Sequence, residues 1–276
     1  MVKKKLSETR FEFGKNWQSF SNYIDHHVIQ TAQSSLEDLF NTNNLRGKTF
    51  LDVGCGSGLF SLAAYNMGAN VVSFDFDTDS VECAKEIRRL YTSEDSNWVI
   101  QQGSILDESY LSGLNKFDIV YSWGVIHHTG DLWKAFSNLI DLVSSDGIVC
   151  VAIYNDQGTK SKVWNLVKNF YNKTPKFVRP CFALSTFIGM NFFSFLYHIF
   201  KFKMIFYLKN IKNYRSNRGM NLYNDWVDWI GGYPFQVASV AVVKEFLIDN
   251  GFEVNITRSV SSFGNNEFVA RKSSSE

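Results

Sequence analysis

A glycine-rich turn followed by a distant carboxylate is the feature of this sequence that most directly predicts ligand binding. Three glycines, Gly54, Gly56 and Gly58, alternate in the run LDVGCGSG at residues 51–58. Glycine permits a tight turn and lets a ligand lie against the main chain. Asp75 lies 17 residues beyond Gly58, at the end of the next apolar stretch. A carboxylate there can accept hydrogen bonds from both hydroxyls of a ribose.

Two adjacent histidines form a second candidate site. His127 and His128 lie in the run GVIHHTGD at residues 124–131, just beyond a predicted strand. In parallel α/β sheets, ligands bind at that edge. An imidazole with an unperturbed pKa of about 6.5 is a usable base at neutral pH, so either side chain could take a proton from a hydroxyl acceptor. Alternatively, one or both histidines cap the following helix or fill the pocket wall.

Polar and aromatic residues further along the chain could bind an acceptor. A polar cluster ends the fifth predicted strand, and an aromatic, glycine-rich stretch with two acids occupies residues 225–235. Such a stretch can stack on a planar or sugar acceptor, although ordinary loop packing is equally consistent with it. The candidate acceptor-binding residues are Asn155, Asp156, Arg218, Trp229 and Tyr233.

The elements that position these residues alternate between strand and helix. Short apolar runs are separated by amphipathic stretches. Strands separated by helices indicate right-handed crossovers and a parallel sheet. The predicted strands are 49–53, 70–74, 98–101, 117–122, 147–154, 252–256 and 267–270. The predicted helices are 17–40, 59–67, 79–91, 132–143 and 240–250.

The spacing of the glycines distinguishes two kinds of cofactor. The dinucleotide fingerprint is GxGxxG, whose helix N-terminus receives a pyrophosphate. Here the spacing is GxGxG, with Asp52 two residues ahead of Gly54, and it resembles motif I of the class I S-adenosylmethionine (SAM)-dependent methyltransferases. The resemblance extends over residues 47–155. The whole chain, including FGKNW near its start and GNNEFV near its end, resembles a bacterial and phage subgroup that often carries ubiquinone-pathway names.

That resemblance implies a cofactor role for each matching residue. The glycine run would lie under the methionine part of SAM, and Asp75 would hold the ribose. Phe76 would cover one face of the adenine, and Ser104 and the Ile105 backbone would meet its amino group. Many relatives carry Asp where Ser104 stands. The implied cofactor-binding residues are Asp52, Gly54, Gly56, Gly58, Asp75, Phe76, Ser104, Ile105, Ser122 and Trp123.

The resemblance also bears on the acceptor side. The run FDIVYSWG at residues 117–124 resembles motif IV, which borders the methyl donor. In relatives a His at the second position of the pair often faces the acceptor, which favours His128 over His127 as the catalytic base. Asn266, in GNNEFV, is assigned to acceptor binding.

The charge of the chain is unevenly distributed. Residues 160–220 hold 12 Lys or Arg and no Asp or Glu, whereas the rest of the chain has 16 basic and 27 acidic side chains. This basic, aromatic segment fits a phosphorylated or nucleotide-linked acceptor, an anionic membrane surface or, with less weight, RNA. Residues 181–200 contain no charged Asp, Glu, Lys or Arg and match a membrane span in length. Interspersed Ser, Thr, Asn and His favour a buried or interfacial cap helix instead.

Cysteine usage and the first residues indicate a cytoplasmic protein. The four cysteines form no CxxC pair, and no His lies near them at metal-ligand spacing, which predicts reduced thiols. The initial lysines are not followed by an apolar signal core. The sequence shows no carboxylate cluster of the kind that a divalent metal needs, so we predict no metal.

These features together predict an α/β protein with a Rossmann-like, seven-stranded, mostly parallel sheet. We expect a helical lid at 1–46, a SAM-binding core at 47–156, a helical cap over the substrate at 157–235 and a C-terminal part at 236–276 that completes the sheet. The predicted reaction moves the methyl group of SAM to a hydroxyl of a small anionic acceptor, such as a saccharide or nucleotide-linked sugar, and leaves S-adenosylhomocysteine (SAH). A tRNA-modifying methyltransferase, a quinone or lipid O-methyltransferase at a membrane surface and a non-catalytic SAM-binding partner remain alternatives.

Overall fold

The computed structural model describes residues 24–94, 96–201 and 222–273. Within these ranges the chain forms two compact units. The helical unit comprises the described residues of 163–234, and the core unit comprises those of 24–162 and 235–273. The core unit is therefore built from two separate stretches of sequence. The predicted cap at 157–235 has bounds close to those of the helical unit, and its role over a substrate stays a prediction.

A seven-stranded sheet runs through the core unit. Its strands are β1 Thr49–Val53, β2 Asn70–Asp75, β3 Trp98–Gln102, β4 Phe117–Trp123, β5 Val143–Tyr154, β6 Phe252–Arg258 and β7 Asn265–Lys272. The order is β3-β2-β1-β4-β5-β7-β6, and β7 alone runs antiparallel to its neighbours. The predicted seven-stranded, mostly parallel sheet is confirmed. The strand order reverses between β1 and β4, and such a point opens a crevice at the carboxyl ends of the strands.

Polar side chains cap several helices of the core unit. Asp25 Oδ1 accepts a hydrogen bond of 2.9 Å from the Val28 amide, and Asp77 Oδ1 accepts one of the same length from the Asp79 amide. Each satisfies an N–H that the helix itself leaves without a partner. The core-unit helices are α1 His26–Phe40, α2 Leu59–Asn66, α3 Thr78–Tyr91, α4 Glu108–Leu111, a 3₁₀ turn Ile126–His128 (the histidine turn), α5 Leu132–Asp141 and α9 Val240–Asp249.

The predicted first helix, 17–40, is shorter in the described part of the chain. Asp25 caps α1, so the helix begins at His26. Residues 17–23 lie outside the described residues. The lid role assigned to residues 1–46 stays a prediction, although the described part of that segment packs into the core.

Apolar side chains cover both faces of the sheet. One cluster joins the strands to α5 and α9, through Leu51, Val120, Val149, Phe136 and Leu247. The other joins them to α1, α2 and α3, through Phe50, Ile119, Leu36, Leu62 and Ile87. Successive β1 residues point to opposite faces, and both faces are buried, as expected for a parallel sheet between helices.

The helical unit contains α7 Arg179–Phe200 and α8 Leu222–Gly231, together with most of α6 Thr159–Lys173. Its small core holds Tyr171, Ala183 and Ile230. Indole rings of Trp164, Trp226 and Trp229 pack edge to face around it. Among the helices in the described ranges, none combines the length and apolar character that a membrane crossing requires.

Candidate active site

The glycine turn, residues 54–58, connects β1 to α2 at the crevice. Its first amides, those of Gly54 and Cys55, donate to the Phe74 carbonyl at 2.8 and 3.2 Å. A β-carbon at Gly54 would lie 2.3 Å from Cγ1 of Val125, and the residue has φ +75°. The turn therefore requires glycine here both for its left-handed backbone and for its close packing.

Asp52 lies buried just ahead of the glycine turn. Its Oδ2 accepts a hydrogen bond of 2.6 Å from the Ser61 hydroxyl. The pKa of Asp52 is raised to about 7, chiefly by burial; the Ser61 hydrogen bond opposes this effect, and the negative charge of Asp75 adds to it. A cationic ligand group beside this carboxylate would favour its ionised form.

Asp75 ends β2 next to the glycine turn. Its Oδ2 accepts from the Gly56 amide at 3.0 Å, and its Oδ1 accepts from the Asp77 amide at 2.9 Å. These two bonds fix the carboxylate between the turn and the start of α3. The adjacent Phe76 has an exposed side chain. The structure thus brings together Asp52, the three glycines, Asp75 and Phe76, and their contact with a cofactor stays a prediction.

The loop after β3 holds two further predicted cofactor residues. Ser104 Oγ accepts a hydrogen bond of 3.2 Å from the Leu106 amide. The Ile105 side chain is buried, and its carbonyl accepts from Asn138 Nδ2 at 2.7 Å. Both residues therefore shape this loop, and their contact with an adenine stays a prediction.

The end of β4 holds the other two predicted cofactor residues. The buried Ser122 hydroxyl donates to the Val53 carbonyl at 3.2 Å, which links β4 to β1. The half-buried Trp123 stacks on Tyr121, with ring centroids 5.3 Å apart and planes 5° apart. This geometry gives Ser122 a part in holding the two strands together and leaves Trp123 as the better candidate for contact with a bound molecule.

The histidine turn buries both imidazoles, but they differ in their contacts. His127 is fully buried, and its Nδ1 accepts from the Tyr154 amide at 3.3 Å. Its carbonyl accepts from the Gln236 amide at 3.0 Å. The His128 ring lies edge-on to Tyr154, with centroids 5.4 Å apart. His127 is thus built into the fold at the end of β5, which supports His128 as the stronger candidate base.

The predicted acceptor residues have several different surroundings. Asn266 Nδ2 donates to Asn155 Oδ1 at 3.1 Å, and Asn155 Nδ2 donates to the Val260 carbonyl at 3.0 Å. These amides hold the loop between β6 and β7, so the structure gives them a structural role. Asp156 is exposed, and its Oδ1 accepts from the Gly158 amide at 2.8 Å.

The remaining acceptor residues lie elsewhere in the chain. Arg218 falls outside the described residues. Trp229 and Tyr233 belong to the helical unit, where the Trp229 carbonyl accepts a hydrogen bond from Lys168 Nζ. Their assignment to an acceptor pocket stays a prediction.

Comparison with known proteins adds the decisive observation. The profile of a family described as a methyltransferase domain matches residues 44–206. The chain belongs to this family. That span includes the glycine turn, Asp75 and the histidine turn.

Curated relatives match shorter stretches. A ribosomal protein L11 methyltransferase of Helicobacter hepaticus is 41% identical over 78 residues, which are 28% of this chain and 23% of the relative. A ubiquinone biosynthesis O-methyltransferase of Actinobacillus pleuropneumoniae is 28% identical over 118 residues, 41% of this chain and 48% of the relative. The chain therefore spans half or less of the length of these relatives.

Solved structures share the fold. The SAH-bound magnesium protoporphyrin IX methyltransferase of Synechocystis PCC 6803 superposes with a TM-score of 0.52 and 18% identity, covering 89% of this chain and 83% of that one. A SAM-dependent methyltransferase of Methanosarcina mazei gives a TM-score of 0.52 and 11% identity, covering 86% and 98%. The predicted class I methyltransferase fold is confirmed.

Two residues near the histidine turn were missed by the sequence reasoning. The Tyr154 ring centroid lies 4.0 Å from that of His127, and the Tyr154 ring also contacts the Phe235 ring. Asn265 pairs with Tyr154 across β5 and β7, and its Nδ2 lies 3.8 Å from the position of a β-carbon on Gly124. Tyr154 and Asn265 are sequence neighbours of the predicted acceptor residues Asn155 and Asn266. They reach the histidine turn only because β5 pairs with β7, which the local sequence does not show.

Asn265 has an unusual polar environment. Its Oδ1 is buried and accepts no hydrogen bond from any residue in the described ranges. A buried polar atom left without a partner costs about 1–3 kcal/mol. A ligand group that donates a hydrogen bond would remove this cost, so Asn265 joins the candidate site. In the described ranges, no cluster of three or more His, Cys, Asp or Glu side chains is arranged to hold a metal ion.

Proposed function

We propose that this chain transfers the methyl group of SAM to a hydroxyl of a small anionic acceptor, of the saccharide or nucleotide-linked sugar type. One observation carries the proposal. The buried Asp52, the glycine turn and the fixed Asp75 converge at the same crevice as the histidine turn. The family of the chain supports methyl transfer as the reaction.

The residues at the crevice fit SAM. The ammonium and sulfonium charges of SAM would favour ionisation of the buried Asp52. Asp75 would accept hydrogen bonds from the ribose hydroxyls while it keeps its bonds to Gly56 and Asp77. The exposed Phe76 ring is available for one face of the adenine. When bound, SAM supplies a methyl group that its sulfonium already activates.

The chain's own contribution to the reaction is position and proton removal. Holding an acceptor oxygen in line with the methyl group accounts for most of the expected acceleration. His128 would take the proton from the acceptor hydroxyl. His127 would keep the turn in place through its bonds to the Tyr154 and Gln236 amides.

The anionic acceptor is supported by charge. Residues 160–220 carry 12 basic and no acidic side chains, which favours phosphate or carboxylate groups. The test is mass spectrometry of metabolite extracts incubated with the protein and isotopically labelled SAM. We expect label in a phosphorylated or sugar-linked product, and a much weaker signal with His128→Ala. Label in RNA alone would contradict the proposed acceptor class.

A quinone-type phenol is the second candidate acceptor. Curated relatives that match about 40% of this chain are named ubiquinone biosynthesis O-methyltransferases. The same labelled-SAM assay with a catechol-type acceptor separates the two classes, since only one should saturate at micromolar concentration. We place either reaction in the cytoplasm, with contact to a membrane surface as a further part of the proposal.

A further inference from the structure

Helix α6 buries polar side chains beside apolar ones such as Tyr171, and it also exposes a stripe of apolar side chains. Within the helical unit, Lys168 and Asn172 of α6 are buried. On its outer side Val163, Leu166 and Phe170 are 53%, 70% and 61% exposed. These three follow the spacing i, i+3, i+7, which places them on one stripe of the helix. A water-soluble surface helix normally exposes polar side chains along such a stripe.

Specific polar contacts hold α6 in this orientation. Lys168 Nζ donates to the Trp229 carbonyl and lies 4.2 Å from the centre of the Trp229 ring. Asn172 Nδ2 donates to the Gly231 carbonyl at 2.7 Å. Rotating α6 to bury its apolar stripe would break these bonds to α8. The outward apolar stripe is therefore a consequence of how the unit is built.

Helix α7 and the turn before it extend the apolar surface. Leu184, Ile188 and Phe192 are about half exposed and repeat every four residues. Phe177, in the turn between α6 and α7, is 83% exposed. A helix of the length of α7 extends about 33 Å. The Phe170 and Phe182 rings, with centroids 5.4 Å apart, join α6 to α7. Exposed apolar side chains that repeat along two joined helices are typical of an interaction site rather than of isolated surface residues.

Positive charges accompany this apolar face. The described residues of 160–201 include no Asp or Glu. Their exposed cations are Lys160, Lys162, Lys173, Lys176 and Lys201, whereas Arg179 is half-buried and Lys168 is buried. In the described part of the helical unit, the acids are Asp225 and Asp228, both on α8. Apolar and aromatic side chains beside lysines match the interface of an anionic bilayer, where the chain carbons are buried and the cations reach the headgroups.

We propose that the outer face of α6 and α7 binds the surface of a negatively charged phospholipid bilayer. Leu166, Phe170, Phe177 and Ile188 enter the boundary between headgroups and acyl chains. Lys173 and Lys176 contact phosphate groups. RNA could bind the cations and stack on the aromatic rings. RNA binding does not account for the exposed aliphatic side chains of Leu166 and Ile188, whereas burial in a bilayer does.

Vesicle flotation of the full chain without SAM tests this proposal. One set of vesicles contains phosphatidylcholine alone, and the other contains phosphatidylglycerol as well. We expect binding to the anionic vesicles at least about tenfold above binding to the neutral ones, because each lysine near the surface contributes about 1 kcal/mol. Absence of binding to anionic vesicles would overturn the proposal.

Matched variants locate the binding surface. Leu166→Ser/Phe170→Ser/Ile188→Ser should weaken anionic binding about tenfold or more, because it removes apolar area that the bilayer buries. Leu90→Ser/Val242→Ser/Ile248→Ser removes comparably exposed side chains from the core unit and should leave binding within about twofold. Circular dichroism and SAM calorimetry on both variants verify that they fold. Equal losses in the two variants would contradict the assignment.

Self-association provides the other decisive readout. If sedimentation shows a dimer that the α6–α7 variant abolishes while anionic vesicles bind both proteins equally, the face binds a second copy and the lipid proposal is wrong. Because the vesicle assay contains no SAM, its failure leaves the proposed methyl transfer unaffected, and failure of SAM binding leaves the lipid result unaffected.

Discussion

The carboxylate of Asp52 is buried, so its negative charge destabilises the folded chain. The same charge would stabilise a bound cationic ligand. The pKa of Asp52 is raised to about 7, against an ordinary value of 3.8, chiefly by burial. The folded chain therefore holds this proton between pH 4 and 7 while the unfolded chain releases it. Stability attributable to this group falls as the pH rises through that window and stays low above pH 7.

Asp52→Asn should therefore stabilise the SAM-free protein at high pH. We expect an increase of roughly 1–3 kcal/mol in the free energy of unfolding at pH 8, shrinking towards zero near pH 4. Urea unfolding across this range measures the difference. A variant less stable than the wild type at pH 8 would contradict the buried, ionised carboxylate.

The same substitution should weaken SAM binding. Loss of a charged hydrogen-bond acceptor is expected to reduce affinity about tenfold or more. Wild-type affinity should also fall as the pH drops below 7, because Asp52 becomes protonated, whereas the variant should show a flatter profile between pH 6 and 8. Calorimetric titration with SAM at several pH values compares the pH dependence of affinity in the wild type and in Asp52→Asn. Parallel pH profiles would show that Asp52 does not face the cationic ligand.

The two histidines should differ in the property they affect. His128→Ala is expected to lower kcat about 10²- to 10⁴-fold in protein that still folds, although the loss of this buried ring also costs some stability. His127→Ala leaves the buried Tyr154 amide without its acceptor and should cost about 1–3 kcal/mol of stability. Turnover and thermal unfolding of both variants measure this division. Loss of activity in His127→Ala at full stability, with an active His128→Ala, would reverse the assignment.

Part of this residue-scale chemistry was predictable from the sequence. The glycine turn and Asp75 follow directly from spacing, because a strand end fixes where they lie. The preference for His128 over His127 rested on the resemblance to relatives, since a short turn has no periodicity that assigns side-chain directions. The pairing of Asn155 with Asn266 joins residues 111 positions apart, so it depends on the complete sheet.

At the scale of elements, the glycine turn depends on backbone shape as much as on packing. Gly54 and Gly47 have φ of +75° and +79°, but a β-carbon would overlap Val125 only at Gly54, while nothing lies within 4 Å at Gly47. Gly54→Ala should lose SAM binding and considerably more stability than the roughly 1–2 kcal/mol expected of Gly47→Ala from backbone strain alone. Calorimetry and urea unfolding of the pair measure this. Equal effects would show that the close contact with Val125 is unimportant.

Helix α6 carries a buried lysine that should make stability pH-dependent in the opposite direction. Burial lowers the pKa of Lys168 to about 7, and the negative charge of Asp228 partly offsets this. Between pH 7 and 10 the unfolded chain binds a proton that the folded chain does not, so stability from this group rises with pH. Lys168→Met should gain stability relative to wild type at pH 6 and lose that advantage by pH 10, as measured by chemical unfolding. A difference independent of pH would contradict a buried, titrating amine.

Element boundaries show where sequence patterns end. β1 was predicted with its observed bounds, because the polar Lys48 and the glycine turn enclose a short apolar run. The first part of β5 was missed, since Ser144, Ser145 and Asp146 read as a loop, yet the strand begins at Val143. The start of β5 is determined by its pairing with β4, and the local sequence pattern carries no information about that pairing.

For the whole molecule, the alternation of strands and helices was enough to predict a parallel sheet, because crossover rules leave few arrangements. The class I assignment came from the resemblance of the glycine run and its flanking motifs to those of the methyltransferases. Charge was also informative at this scale, since the basic residues gather in one sequence segment while the acids lie elsewhere. The outward apolar stripe of α6 was not predictable, because it depends on the bonds of Lys168 and Asn172 to α8.

The central claim is that the ends of β1 and β2 together hold SAM. Isothermal titration of the folded protein with SAM and SAH tests it most directly, with Asp75→Ala as the comparison. We predict saturable heat for both ligands with the wild type and at least about tenfold weaker binding with Asp75→Ala, which lacks the ribose acceptor. No detectable heat from either ligand at millimolar concentration, with a well-folded wild type, would contradict the account.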